Sequence, residues 1–174
     1  MSRKKIYLLI EDLFEDVEAI YPYYRLIEEG YDVEIVGPVK NKEYKGKKGL
    51  MMKSDLAASE TKLEDAAAIV IPGGYAPDRM VRYKDMVDIV RNAMKDCKII
   101  AAICHGPLML IEADVIRGKK VTGVKSIVTL LKLAGGEFID REAVTDGNII
   151  TSRSPEDLPA FCKALIALMS IYYK

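Results

Sequence analysis

Five short segments, KIYLLI, YDVEIVG, AAAIVIPGG, KIIAAI and GNIITS, recur along the chain with helical-looking stretches between them. They are apolar and rich in β-branched residues, without the strict alternation of a strand that keeps one face in water. A strand that is apolar on both faces must be covered on both, and the intervening helices are the elements able to do it. The pattern therefore predicts an α/β sandwich around a mainly parallel sheet. No repeat, low-complexity tract or linker interrupts the 174 residues, so a single domain over 1–174 is expected.

Charge narrows the partners. Lys and Arg number 26, Asp and Glu also 26, and the formal charge is zero. A neutral chain has no electrostatic footprint for nucleic acid or an anionic membrane, which leaves small neutral or weakly polar ligands. The start, MSRKKIYLLIED, holds only a five-residue apolar run before two acids, too short for a signal-peptide core or a membrane span. A cytoplasmic location is expected. Cys97, Cys104 and Cys162 show neither a CxxC spacing nor a Cys/His cluster, so they are read as reduced thiols, with no metal and no cofactor.

Three other stretches shape the expected architecture. NKEYKGKKGLMMKSD (41–55) is polar and punctuated by glycine, which predicts a peripheral antiparallel hairpin. FEDVEAIYPYYRLIEEG (14–30) predicts a first helix ending at Gly30; Pro22 inside it implies a kink or a late start near Glu18. In the closing segment, SPED predicts Ser154 as N-cap and Pro155 at the first helical position. From Phe161 to Tyr173 only Lys163 and Ser170 interrupt apolar residues, so this helix is expected to be buried on more than one side, with a contact to another subunit favoured.

The chemistry concentrates at KIIAAICHGPLMLIEA (98–113), where a strand passes directly into a helix. Ala102-Ile103-Cys104-His105-Gly106 follows the small-x-nucleophile-x-Gly form of a nucleophile elbow, whose sharp turn lifts one side chain above the sheet. A free cysteine ionises near pH ~8.5, and a helix N-terminus contributes only ~0.3–1 kcal/mol towards lowering that value, so a second partner is needed. Glu18, just past the first strand, is the candidate: protonated, it would donate a hydrogen bond to sulfur, raising its own pKa while that of Cys104 falls. His105 is the only histidine. It is either the base or a residue packed at the rim of a pocket, and a triad with a remote histidine is excluded within this chain. In AIVIPGGYAPDRM, the turn Pro72-Gly73-Gly74 follows a similar strand, so the amide of Gly74 and that of His105 are candidates for an oxyanion hole.

Together, FEDVEAIYPYYRL, VIPGGYAPDRM, AAICHGPLMLIEADVIRGKKVTG and DGNIITSRSPEDLPAF resemble the PfpI-type intracellular proteases and protein deglycases of the ThiJ/PfpI superfamily, in order and over nearly the whole chain. The resemblance implies a flavodoxin-like three-layer sandwich with a nucleophilic Cys104, an acid at Glu18, oxyanion amides at Gly74 and His105, and a homo-oligomer, dimer or hexamer. In PfpI-like members a glutamate from a neighbouring subunit orients the histidine; the matching position here is Asp78, one methylene shorter. A tyrosine of the archaeal PfpI proteins is absent from KKVTGVKSI, which carries Val124 instead.

The leading expectation is thus a cysteine-dependent hydrolase of peptidase or amidase type, in which Cys104 attacks a carbonyl of a peptide or small substrate and His105, with Asp78 from another chain, moves protons. The alternatives are a glyoxalase or protein deglycase acting on methylglyoxal or its adducts, with Glu18 as proton shuttle, and a non-enzymatic, redox-responsive or chaperone-like stress protein in which Cys104 is oxidised.

Overall fold

The computed structural model describes residues 4–173. The apolar segments form the centre of a seven-stranded sheet: β1 (Lys5–Leu9), β2 (Asp32–Gly37), β5 (Leu56–Ala57), β6 (Ala66–Ile71), β7 (Ile99–Ile103), β10 (Ala143–Asp146) and β11 (Ile149–Ser152). Their order is β10-β11-β7-β6-β1-β2-β5, parallel throughout except for β10 at one edge. β6 and β7 are buried at every position, as an alternation-free apolar strand requires. Two small pairs complete the strands: the antiparallel hairpin β3 (Glu43–Lys45) and β4 (Met51–Lys53), and the parallel pair β8 (Lys120–Val121) and β9 (Glu137–Phe138).

The helices are α1 (Asp16–Glu28), α2 (Ala76–Met80), α3 (Lys84–Lys95), α4 (Pro107–Glu112), α5 (Val128–Leu133) and α6 (Leu158–Tyr172). With the sheet they build the flavodoxin-like sandwich. The chain leaves β1 towards β2 on one side and continues through β6 and β7 on the other, so the strand order reverses between β1 and β6. A ligand crevice opens at the carboxyl ends of strands at such a reversal.

Two expectations about helices are corrected. α1 starts at Asp16, before Glu18, and runs through Pro22 without a break. Pro22 removes one helical hydrogen bond, yet it is buried, and packing holds the helix across that loss. At its end the amides of Gly30 and Tyr31 bond the carbonyls of Ile27 and Leu26, and Gly30 takes φ +87°, the left-handed stop that glycine favours. The closing helix starts three residues later than expected, because Pro155–Asp157 form a 3-10 turn and the Ser154 side chain makes no capping bond. The Asp157 carboxylate instead accepts from Arg153 Nε (2.9 Å) and from a terminal guanidinium nitrogen (3.0 Å).

α6 buries Leu158, Phe161, Cys162, Leu165 and Met169 on this chain's own core, while Ile171 and Tyr172 at its end stay exposed. Cys162 is therefore a core residue, and burial pushes its thiol up to about 12. Cys97 is exposed at the left-handed stop of α3, with φ +52°. Among the described residues no helix is long and apolar enough to cross a membrane.

Candidate active site

Three adjacent strand ends deliver the site. Cys104 follows β7, the Gly73-Gly74 turn follows β6, and Glu18 stands in the first turn of α1, beyond β1. Cys104 takes φ +62°, a conformation a non-glycine residue holds only when its surroundings impose it. They do so here: its amide bonds Ser152 O (3.0 Å), its carbonyl accepts from Val124 N (3.0 Å), and the next turn closes through Gly106 N to Ile103 O (2.7 Å). A Cβ on Gly106 would lie 2.5 Å from Ile71 O, so the small residue two places after Cys104 is a packing necessity. The elbow exists as the sequence implies.

Gly73 has a sharper role. A Cβ there would fall 2.6 Å from both Cys104 Cβ and Glu18 Oε2, and 2.9 Å from His105 N. Its missing side chain is the space in which the Glu18 carboxyl and the Cys104 side chain meet. The Gly73 amide donates to Glu18 Oε2 at 2.7 Å, whereas Glu18 Oε1 is buried without a hydrogen-bond partner.

Glu18 is fully buried, and burial lifts its carboxyl from an ordinary 4.5 to about 7, against the opposing pull of the Gly73 amide. Cys104 departs from the expected direction. Burial and the charge on Glu18 push the thiol up to about 12, while the amides of Gly74 and His105 pull it down. The repulsion acts only while Glu18 is ionised, so the titration of each group depends on the charge of the other. α4, whose N-terminus follows the sulfur, has only six residues.

His105 is half-buried, and burial lowers its pKa. Its Nδ1 lies 3.5 Å from Cys104 Sγ, and its Nε2 lies 3.2 Å from Ser126 Oγ. Asp78 is exposed on α2; its charge raises the His105 pKa, but among the described residues the two share no hydrogen bond. The structure thus brings Cys104, Glu18, Gly74 and His105 together and leaves Asp78 on the rim.

Two site residues escaped the sequence reading. One is Ser126. The other is Lys47, carried by the hairpin expected to be peripheral. That hairpin is docked: the Asp16 carboxylate accepts from Lys48 N and Leu50 N, both at 2.8 Å, and Lys47 N donates to Phe14 O (2.9 Å). Lys47 Nζ is held by Glu15 at 2.8 Å and lies 5.2 Å from the Tyr75 ring centroid, close enough for its charge to act on Glu18 and His105. Glycines at 46 and 49 signalled a turn, but nothing in the local sequence tied it to α1. Beyond the elbow, Val124, Val128, Phe138 and Arg153 line a cavity of about 630 Å³.

Fold and site together define a flavodoxin-like protein with a cysteine on a strand-to-helix elbow beside a buried acid. The family model described as DJ-1/PfpI matches residues 4–168, and the chain belongs to that family. "Deglycase PfpI" of Pyrococcus furiosus is 43% identical over 165 residues, 95% of this chain and 99% of that protein. "Protein/nucleic acid deglycase 2" of Escherichia coli is 40% identical over 168 residues, 95% and 98% of the two chains. A two-domain protein from Anabaena variabilis, with DJ-1/ThiJ/PfpI-like and ferritin-like domains, superposes with a TM-score of 0.95 at 42% identity; the match covers 97% of this chain and 48% of that one.

Proposed function

We propose that the protein is a cysteine-dependent deglycase that acts on reactive aldehydes such as methylglyoxal and on their adducts with amines. The observation that carries this reading is the Glu18 carboxyl. It is buried beside Cys104, pushed up to about 7, and has one oxygen bonded to Gly73 N and the other free to hold a proton. The deglycase names of the relatives from Pyrococcus furiosus and Escherichia coli support it. This moves the deglycase alternative ahead of the peptidase, because aldehyde chemistry asks for an acid–base group at the sulfur and not for an oriented His–carboxylate pair.

In the proposed sequence the Cys104 thiol proton passes to the Glu18 carboxylate, and the sulfur attacks the aldehyde carbon. The new C–S bond forms as the carbonyl π pair moves to oxygen, where the Gly74 and His105 amides receive it. Glu18 returns its proton to that oxygen and completes a thiohemiacetal. Moving the C–H proton to the adjacent carbonyl carbon and the hydroxyl proton to its oxygen, through an enediol, then converts the thiohemiacetal into a thioester, and water releases a 2-hydroxy acid and the free thiol; from an amine adduct, the C–S bond replaces the C–N bond and the amine leaves with the thiol proton. Each proton that leaves one centre arrives at another, and one water is consumed.

The peptidase reading rests on a different observation, the 3.5 Å approach of His105 Nδ1 to Cys104 Sγ, and on a Bacillus subtilis relative with a provisional cysteine-protease name. Self-association belongs to the proposal as well: Val17, Tyr21, Tyr24 and Ile27 of α1 border an exposed apolar groove against Pro155 and Leu158. The deciding experiment follows methylglyoxal loss, release of amine from a glycated lysine or arginine, and cleavage of a peptide amide in wild type, Cys104→Ser and Glu18→Gln. The deglycase predicts 2-hydroxy acid formation that falls by about 10²–10⁴ in Glu18→Gln. Peptide cleavage without aldehyde turnover would reverse the order of the two readings.

A further inference from the structure

His105 is held at both ends of its ring. Nδ1 faces the nucleophile at 3.5 Å and Nε2 faces Ser126 Oγ at 3.2 Å, so one residue of the same chain stands where an orienting group for the imidazole is needed. We propose that Ser126 is the positioning residue of His105: its hydroxyl accepts a hydrogen bond from Nε2–H, leaving the lone pair of Nδ1 aimed at the Cys104 thiol. The inference deepens the reading of a Cys104-centred site and rests on it for its catalytic consequence.

Ser126 is placed by the elbow itself. It lies in the 3-10 turn Lys125–Ile127, and the preceding Val124 donates its amide to the carbonyl of Cys104 at 3.0 Å. Ile127 is buried, its amide bonds Val124 O, and a Cβ on Gly123 would meet Ile127 Cδ1 at 3.0 Å and Cys104 O at 3.3 Å. The turn is thus packed against the residue that carries the nucleophile, and the distance between Ser126 and His105 is set by backbone contacts.

A hydroxyl both donates and accepts, so geometry must be joined to chemistry to choose the tautomer. A nitrogen that accepts a hydrogen bond from the thiol S–H needs a free lone pair, which places the ring proton on Nε2 when His105 is neutral. When His105 takes up a proton from solvent, the new N–H bond forms at Nδ1 and the imidazolium still donates from Nε2 to Ser126. The bond to Ser126 survives both states, so the ring need not turn between them. The charged groups facing His105 are Asp78 from α2 and Lys47 from the hairpin, with Cys104 on its own elbow; none of them bonds Nε2. In this arrangement a residue of the same chain orients the ring.

His105 is the only histidine, so the imidazole nitrogen resonances of the whole folded protein come from it alone. Nitrogen NMR of wild type, Ser126→Ala, Ser126→Thr and Asp78→Asn, titrated through the His105 transition, is the test. Wild type should show the Nε2–H tautomer. Ser126→Ala should show mixed tautomers and a lower His105 pKa, since the lost bond favoured the cation, and Ser126→Thr should restore both because the exposed position has room for a methyl group. Asp78→Asn should leave the tautomer unchanged. With an aldehyde substrate, Ser126→Ala should lose about fivefold to tenfold, in kcat more than in KM. A wild-type Nδ1–H tautomer, or a Ser126→Ala spectrum like wild type, overturns the inference. If no variant turns over aldehyde while the tautomer follows Ser126, the proposed function fails and the positioning role stands.

Discussion

The amide of Gly73 donates to one carboxyl oxygen of Glu18 at 2.7 Å, and the other oxygen of that buried acid is left without a partner. A single amide bond steadies the carboxylate form, but burial outweighs it and lifts the carboxyl to about 7. Replacing Glu18 by Gln separates two of its effects. The amide keeps the volume and an acceptor for Gly73 N–H but removes the charge that pushes the Cys104 thiol up. Cys104 should therefore ionise at lower pH in Glu18→Gln and react faster with iodoacetamide at neutral pH, while aldehyde turnover falls by about 100-fold or more. Slower alkylation in the variant would contradict the repulsion between the pair.

The same acid makes stability depend on pH. Its folded pKa of about 7 lies above the ordinary 4.5. The native chain thus holds a proton that the unfolded chain has released, and stability must fall as pH rises between those values. The stabilisation is complete below about pH 4.5 and lost by about pH 7, for a total on the order of 3 kcal/mol. Thermal unfolding of wild type and Glu18→Gln from pH 4.5 to 7.5 checks this. The Tm of wild type relative to the variant should drop across the window, and parallel curves would show that Glu18 is not the group responsible.

Asp16 ties the hairpin to the site. Its two carboxylate oxygens accept from Lys48 N and Leu50 N, each at 2.8 Å, and a Cβ on Gly46 would lie 2.6 Å from Oδ2. Asp16→Ala should cost about 2–3 kcal/mol, because it leaves two amides unpaired and removes a buried charged acceptor. Asp16→Asn keeps one acceptor oxygen and should cost less. Limited proteolysis should find new cuts between residues 46 and 50 in Asp16→Ala, and aldehyde turnover should fall as Lys47 leaves the rim. An uncut hairpin would show that its other contacts, among them Leu13 N to Lys45 O, Lys45 N to Asp12 and Lys47 N to Phe14 O, hold it without Asp16.

The parallel sheet was readable from β6 and β7, since a strand that is apolar at every position has only one kind of environment open to it. The elbow was readable for a related reason: the backbone demands at Cys104 are local, and Ala102 and Gly106 answer them within two residues on either side. Ser126 and Lys47 were not readable. Each reaches the site through contacts made far along the chain, 21 residues between Ser126 and His105 and 32 between Lys47 and Glu15. Pro22 misled about where α1 begins: the helix starts at Asp16, two residues before Glu18, because the packing of the whole segment and not the proline alone sets its start. The direction of the Cys104 shift likewise depends first on the burial of Cys104 itself and then on the charge of Glu18 beside it, neither of which any spacing encodes.

Gly73 offers the most direct test of how the site is assembled. A methyl group at this position would meet Cys104 Cβ and Glu18 Oε2 at 2.6 Å and His105 N at 2.9 Å, all closer than real contacts allow. The carboxyl end of Glu18 can swing aside, whereas the elbow is fixed by the bonds of Cys104 to Ser152 and Val124. Moving Glu18 relieves only its own contact; those with Cys104 Cβ and His105 N remain, so in Gly73→Ala the Gly73 turn must also back away from the elbow, and Glu18 loses its bond to the Gly73 amide and its approach to the sulfur. The variant should remain folded, with about 1–3 kcal/mol less stability, and lose about 100-fold in aldehyde turnover. It should also lose the pH-dependent stability assigned to Glu18, since a displaced carboxyl is no longer buried beside the turn. A folded Gly73→Ala protein with wild-type turnover and an unchanged pH profile would mean that Glu18 and Cys104 do not act as a pair.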